Sequence, residues 1–141
     1  MKVYDEALVN SYTADYQYAP AVSEVPGGGY VVTWVSRGQD GNADGIYAQR
    51  FSASGIPAGP EFRVNSNVIG NQVEPTVVGL SDGSFAVVWT DQSGLDGSSY
   101  GVYGRLYDAT AGTFGSSFLV NTTTANQQTN HADYDFAPNV A

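Results

Sequence analysis

The sequence predicts an all-β chain of β-propeller-like, four-stranded antiparallel blades, and three observations carry that prediction. The first is a long hairpin that occurs twice: Tyr30 to Phe51, YVVTWVSRGQDGNADGIYAQRF, returns from Phe85 to Tyr107 as FAVVWTDQSGLDGSSYGVYGRLY. Each copy reads as an apolar strand ending in Trp, a loop rich in Gly and Asp, and a second strand carrying a Tyr. The second is the period. Val9-Asn10 returns at Val64-Asn65 after 55 positions and at Val120-Asn121 after a further 56, while Pro20 returns at Pro75 and Trp34 at Trp89. Periods of that length mark blades or solenoid turns. The third is the lack of a helical pattern, since no stretch places apolar residues at i, i+3, i+4 and i+7 and Gly interrupts nearly every segment.

Each period divides into four strand signals. The first strand is Ala7 to Asn10, Glu61 to Asn65 and Phe118 to Asn121; the second is Ala21 to Val25, Thr76 to Leu80 and the short Asn139 to Ala141, each behind a Pro. The third is Tyr30 to Val35 and Phe85 to Thr90, entered through Pro26-Gly27-Gly28-Gly29 and Ser81-Asp82-Gly83-Ser84, where Gly supplies the backbone a tight hairpin needs. The fourth is Ile46 to Phe51 and Val102 to Tyr107. Ten strands are expected in all. On the third strand Tyr30, Val32 and Trp34 point one way and Val31, Thr33 and Val35 the other, so both faces are apolar or nearly so. A strand buried on both faces needs a layer on each side, as in stacked blades. The alternative, a β-sandwich, calls for stricter alternation of apolar and polar residues.

The chain reads as one repeat domain, with repeat one over 6–60, repeat two over 61–116 and a partial third over 117–141. About two and a half repeats leave two strands without blade partners, which predicts neighbouring repeats or self-association across open edges. Repeated aromatics at equivalent positions (Trp34, Trp89, Tyr47, Tyr103, Tyr107) read as core between blades rather than as stacking platforms for sugar rings.

The pattern E-F-x-V-N, then P-x-V, D-G-x-F-x-V-x-W and D-G-x-x-x-G-[IV]-Y-[AG] resembles the tandem repeats of very large secreted bacterial surface proteins and adhesins that co-occur with hemolysin-type calcium repeats. It covers nearly the whole chain. The resemblance implies an extracellular or cell-surface setting rich in calcium and a binding or structural role, and it supplies no catalytic residues.

Composition agrees with such a role. A formal net charge of −9 and a pI near 4.1 repel phosphate backbones and anionic lipid, so nucleic acid is not an expected partner. With 13% charged residues the surface must be made polar by Ser, Thr, Asn, Gln, Gly and Tyr. There is no Cys, which removes disulfides and thiolate chemistry. No apolar run is long enough for membrane insertion, and Met1 to Asn10 do not form a signal peptide, so an export signal would have to lie outside this chain.

The sharpest motif is Asp40-Gly41-Asn42-Ala43-Asp44-Gly45, which fits D-x-[DN]-x-D-G, the opening of a calcium loop. Alternate spacing offers the Asp40, Asn42 and Asp44 oxygens to one ion, and the Ile46 carbonyl sits where backbone usually ligates. Phe51 occupies the twelfth position in place of Glu, so the loop is no EF-hand and resembles instead the hairpin calcium loops of integrin-like propellers. The second copy keeps Asp96 but has Tyr100 at the third ligand place. His131, Asp133 and Asp135 form a weaker alternate-residue set. Tyr12, Tyr16 and Tyr18, before Pro20, form an aromatic loop without a counterpart in the second repeat and are the expected contact for a ligand or partner, a glycan being the candidate. Enzyme motifs are lacking: one His, no G-x-S-x-G, no phosphate loop and no H-E-x-x-H. The expected function is therefore a non-catalytic, adhesin-like module with a calcium-stabilised loop. Two alternatives stand beside it, a self-assembling filament subunit and a fragment of a carbohydrate-active propeller, whose chemistry would need only two carboxylates.

Overall fold

The computed structural model describes residues 5–125, and everything in it is strand, turn or loop, with no helix among the described residues. Strands β1 (Gln17–Glu24), β2 (Tyr30–Arg37), β3 (Asp44–Phe51) and β4 (Phe62–Arg63) form one antiparallel sheet in that order. Strands β5 (Gln72–Gly79), β6 (Phe85–Asp91), β7 (Gly101–Asp108) and β8 (Thr113–Phe114) form the second, with β9 (Phe118–Leu119) also paired to β7. The two long hairpins read from sequence are β2–β3 and β6–β7, in matching register: Trp34 lies opposite Tyr47 and Trp89 opposite Tyr103.

The sheets begin earlier than the prolines suggest. In β1 the register shifts between Tyr18 and Ala21, and in β5 between Val73 and Thr76. Ala19 and Glu74, the residues before the two prolines, have φ of 51° and 56°, a left-handed conformation that ordinary residues adopt at cost. Each is a bulge that carries the ladder past a Pro with no N–H to give. The hairpin into β2 depends on glycine in a more restrictive way. A Cβ at Gly29 would run into the Phe51 carbonyl oxygen, and its φ of 124° is also closed to other residues.

The sheets pack face to face through one shared core. Val31, Val35, Ile46 and Ala48 of the first sheet meet Val77, Phe85, Val87, Trp89, Tyr103 and Tyr107 of the second, with Val64 from the connection between them. The opposite face of the first sheet forms a smaller cluster of Val32, Trp34, Tyr47 and Phe51, against which Val9 packs. Both Trp residues are buried at equivalent positions, as are Tyr47 and Tyr103, and Tyr107 is buried where the first sheet has Phe51. Double-sided burial of the third strand holds throughout the centre of β2, while in β6 Ala86 and Val88 are only partly buried. At the contact, Gly79 comes so close to the Glu24 carbonyl that a Cβ would collide with it, and its N–H donates to Ser23 Oγ at 2.9 Å.

Two strand assignments need correction, and a third expected strand falls where nothing is described. Ala7 to Asn10 is not a strand, because its counterparts pair with the hairpin of the sheet before them and no such sheet precedes residue 7 among the described residues. Asn139 to Ala141 lies outside the described residues. The two-residue β8, which pairs with Tyr107 and Asp108, has no strand signal in the sequence. The sheets are also offset from the repeats: each takes its last strand from the beginning of the following repeat, β4 for the first sheet and β9 for the second.

Candidate functional site

The Asp40 loop joins β2 to β3 and is closed by backbone: Gly38 N–H donates to the Ala43 carbonyl at 2.7 Å, and Gly41 N–H to the Gly38 carbonyl at 3.2 Å. Asp40 Oδ1 accepts the Asn42 N–H at 3.1 Å, an Asx turn that this residue type makes without any ion. Its other oxygen, Oδ2, is buried against Gly45, 2.9 Å from where a Cβ would stand, and has no hydrogen-bond partner among the described residues. The second repeat does the same. Asp96 Oδ1 accepts the Ser98 N–H at 3.0 Å, and Oδ2 is buried over Gly101, 2.9 Å from where a Cβ would stand, with no partner among the described residues. One carboxylate folded onto a glycine is thus the common element of both loops, and the glycine is required because any side chain would displace that carboxylate.

The other predicted ligands are placed differently. Asn42 is exposed and its Oδ1 accepts the Ala43 N–H at 2.8 Å. Asp44 is buried at the start of β3, with Oδ2 accepting the Tyr18 hydroxyl at 2.9 Å and Oδ1 without a partner among the described residues. Because Asp44 and Gly45 are adjacent on a strand, they face opposite sides of the sheet, so Asp40 Oδ2 and the Asp44 carboxylate open onto different faces. The Ile46 carbonyl accepts the Val64 N–H at 2.7 Å and so belongs to the ladder. Among the described residues no three His, Cys, Asp or Glu side chains are gathered into a metal-binding group. The His131, Asp133 and Asp135 set lies outside the described residues. What fits a cation in the Asp40 loop is the donor chemistry: two buried carboxylate oxygens, Asp40 Oδ2 and Asp44 Oδ1, that lack partners among the described residues.

The tyrosine loop separates into three environments. Tyr16 is well exposed, Tyr12 is partly covered, and Tyr18 is tied to Asp44. The structure therefore joins two candidate sites that lie 26 positions apart in sequence. Burial first, then the hydrogen bond to Asp44 and the charge of that carboxylate, push the Tyr18 phenol from 10.0 up to about 12. The fold holds the neutral phenol, so this contribution to stability is present below pH 10 and is lost as pH rises from there to about 12. Asp44→Asn is expected to bring Tyr18 back toward 10, read by NMR titration of labelled tyrosine. An unchanged Tyr18 titration in that variant would remove Asp44 as a cause. The phenols of Tyr47 and Tyr103 are raised too, chiefly by burial, then by Asp40 in the first repeat and by Asp96 in the second.

Sequence reasoning passed over the residue that joins the sheets. Asn65 is buried, accepts the Ile46 N–H on Oδ1 at 2.7 Å, and donates through Nδ2 to the Asn67 carbonyl at 2.7 Å and to Gln72 Oε1 at 3.1 Å. One side chain thus holds β3 of the first sheet and β5 of the second. Its counterparts repeat parts of the pattern: Asn121 accepts the Val102 N–H at 2.7 Å and donates to the Thr123 carbonyl at 2.8 Å, and Asn10 donates to the Tyr12 carbonyl at 2.7 Å and to Gln17 at 3.4 Å. The threefold Val-Asn was the available signal.

With this geometry in view, the chain was compared with family models, with characterised proteins and with solved structures, and it matches none of them.

Proposed function

We propose that the chain is a non-catalytic extracellular repeat module of a bacterial surface protein, its two sheets being blades of the β-propeller type and its role adhesin-like binding. The observation that carries this reading is the duplication. The two sheets share register, bulge, Asp-over-Gly loop and Asn clasp. A unit copied at that level of detail, with its distinctive side chains used to join one copy to the next, supports a modular scaffold rather than a single reaction centre. Burial of β2 on both faces supports blades over a two-sheet sandwich, in which each sheet would keep one polar face. The surface made polar by Ser, Thr, Asn, Gln, Gly and Tyr rather than by charge, and the repeat resemblance, support the extracellular setting. The exposed Tyr16, next to Tyr12 and Tyr18, is the contact offered to a glycan or other ligand.

Calcium belongs to this reading as the ion of the Asp40 loop, held by Asp40, Asn42 and Asp44 with the Ile46 carbonyl. Two buried carboxylate oxygens without partners among the described residues, Asp40 Oδ2 and Asp44 Oδ1, support it, and because they open onto different faces a bound ion would have to draw the two carboxylates to one side of the loop. If calcium binds only the folded chain, a concentration about 100 times its dissociation constant should stabilise by roughly 2.7 kcal/mol. Asp44→Ala should remove most of that gain, and calcium should lower the Tyr18 titration by neutralising its partner. Thermal melts in calcium and in chelator, together with labelling of intact producing cells by antibody against the folded chain, test the proposal. Identical melts would remove calcium, and labelling only after permeabilisation would remove the surface role. A second reading, a self-assembling structural subunit, is favoured by the apolar surface left on the outer side of the second sheet.

A further inference from the structure

The same face of the two sheets is treated in opposite ways. In the first sheet the face bearing Ser23, Ile46, Ala48 and Arg50 is covered by the aromatic face of the second, where Phe85, Val87, Trp89, Tyr103 and Tyr107 meet it. Two of its polar members are engaged across the junction: Ser23 Oγ accepts the Gly79 N–H, and Arg50 Nη1 donates to the Tyr107 hydroxyl at 2.9 Å while its guanidinium lies over that ring. In the second sheet those two positions are Val78 and Leu106, exposed by 54% and 44%. The last strand repeats the contrast. Phe62 and Val64 are packed into the shared core, whereas their counterparts Phe118 and Val120 are 47% and 48% exposed, with two Phe118 ring atoms 3.0 Å from where a Cβ on Gly104 would stand. A sheet face meant for water would be expected to turn polar at these positions, and here both polar residues are replaced by apolar ones.

We propose that the outer face of the second sheet, marked by Val78, Leu106, Phe118 and Val120, is the docking surface for the aromatic face of a further sheet of this same repeat type. The proposal rests on the repeat-module reading and deepens it by naming the partner. The occupant follows from the junction already present, because the equivalent face of the first sheet takes a Phe-Val-Trp and Tyr face in that position. Asn121 is set for the same junction, since its Oδ1 already accepts the Val102 N–H as Asn65 accepts that of Ile46.

The test uses the full chain and the same chain lengthened by inserting a copy of residues 66–121 after Asn121. Since the chain has no Cys, Leu106→Cys in each provides a single thiol on the face. In the natural chain it should react with a soluble thiol reagent nearly as fast as a free cysteine, and in the lengthened chain at least about 10-fold more slowly, the inserted Trp emitting as a buried indole. Leu106→Asp should leave the melting temperature of the natural chain unchanged and lower that of the lengthened one. Equal thiol reactivity, a solvent-exposed inserted Trp or an unfolded insertion would overturn the proposal. So would a natural chain that sediments above 14.9 kDa and returns to it with Leu106→Asp, since the face would then belong to a second molecule. None of these readouts depends on cell location, calcium or glycan, so they can fail while the surface role stands.

Discussion

Phe85→Ala is expected to lose about 3–5 kcal/mol of unfolding free energy, a large part of the roughly 5–15 kcal/mol that holds a domain of this size folded. Phe85 is fully buried and sits at the centre of an aromatic cluster, stacked on Tyr107 at 4.7 Å and on Phe62 at 6.4 Å, with Phe114 edge-on at 5.8 Å. Phe62 belongs to the last strand of the first sheet, so the cavity would open at the junction between sheets rather than inside one. The counterpart pair in the first repeat, Tyr30 on Phe51 at 5.0 Å, has the same stacking, but Tyr30 is only partly buried. Tyr30→Ala should therefore cost clearly less. Urea unfolding of the two variants decides the point, and equal losses would mean that the junction does not set the stability.

Asn65→Ala is expected to cost about 3 kcal/mol, although it removes only a small side chain. The substitution strands three groups at once: the Ile46 N–H, the Asn67 carbonyl and Gln72 Oε1. Leaving a buried polar group unsatisfied costs about 1–3 kcal/mol each, and partial relaxation keeps the total nearer the lower sum. Asn10→Ala, at the copy that shows the two donor bonds to Tyr12 and Gln17, should cost about 1 kcal/mol. The gradient is the informative quantity, because a residue that merely ends a strand would give the same small loss at both copies.

Much of the fold was legible because the chain states it twice. Comparing Trp34 with Trp89 and Tyr47 with Tyr103 fixes both hairpins and their register, and apolar residues on both sides of β2 require a layer on each. What stayed hidden depends on backbone and on neighbours. The starts of β1 and β5 run through Ala19-Pro20 and Glu74-Pro75, where left-handed residues allow a bulge that no propensity argument favours. Ala7 to Asn10 resembles a strand, yet a strand exists only where a neighbour supplies its ladder. The loop motif was visible as chemistry, but its geometry was not: D-x-N-x-D-G suggests convergence on one point, whereas the entry of Asp44 into β3 sends its carboxylate to Tyr18. The Tyr18–Asp44 bond itself joins two segments whose pairing depends on β1 lying beside β2.

The central claim is that Val64-Asn65 belongs to two layers at once, closing the hairpin behind it and anchoring the segment ahead, and that Asn121 closes its own hairpin in the same way. Amide hydrogen exchange at Ile46 and Val102 tests it most directly, since both N–H groups donate to an Asn side chain rather than to a strand partner. The account predicts slow exchange at both sites in the natural chain, with Asn65→Ala accelerating Ile46 and leaving Val102 unchanged. Fast exchange at both sites, or an Ile46 rate indifferent to the loss of Asn65, would contradict it.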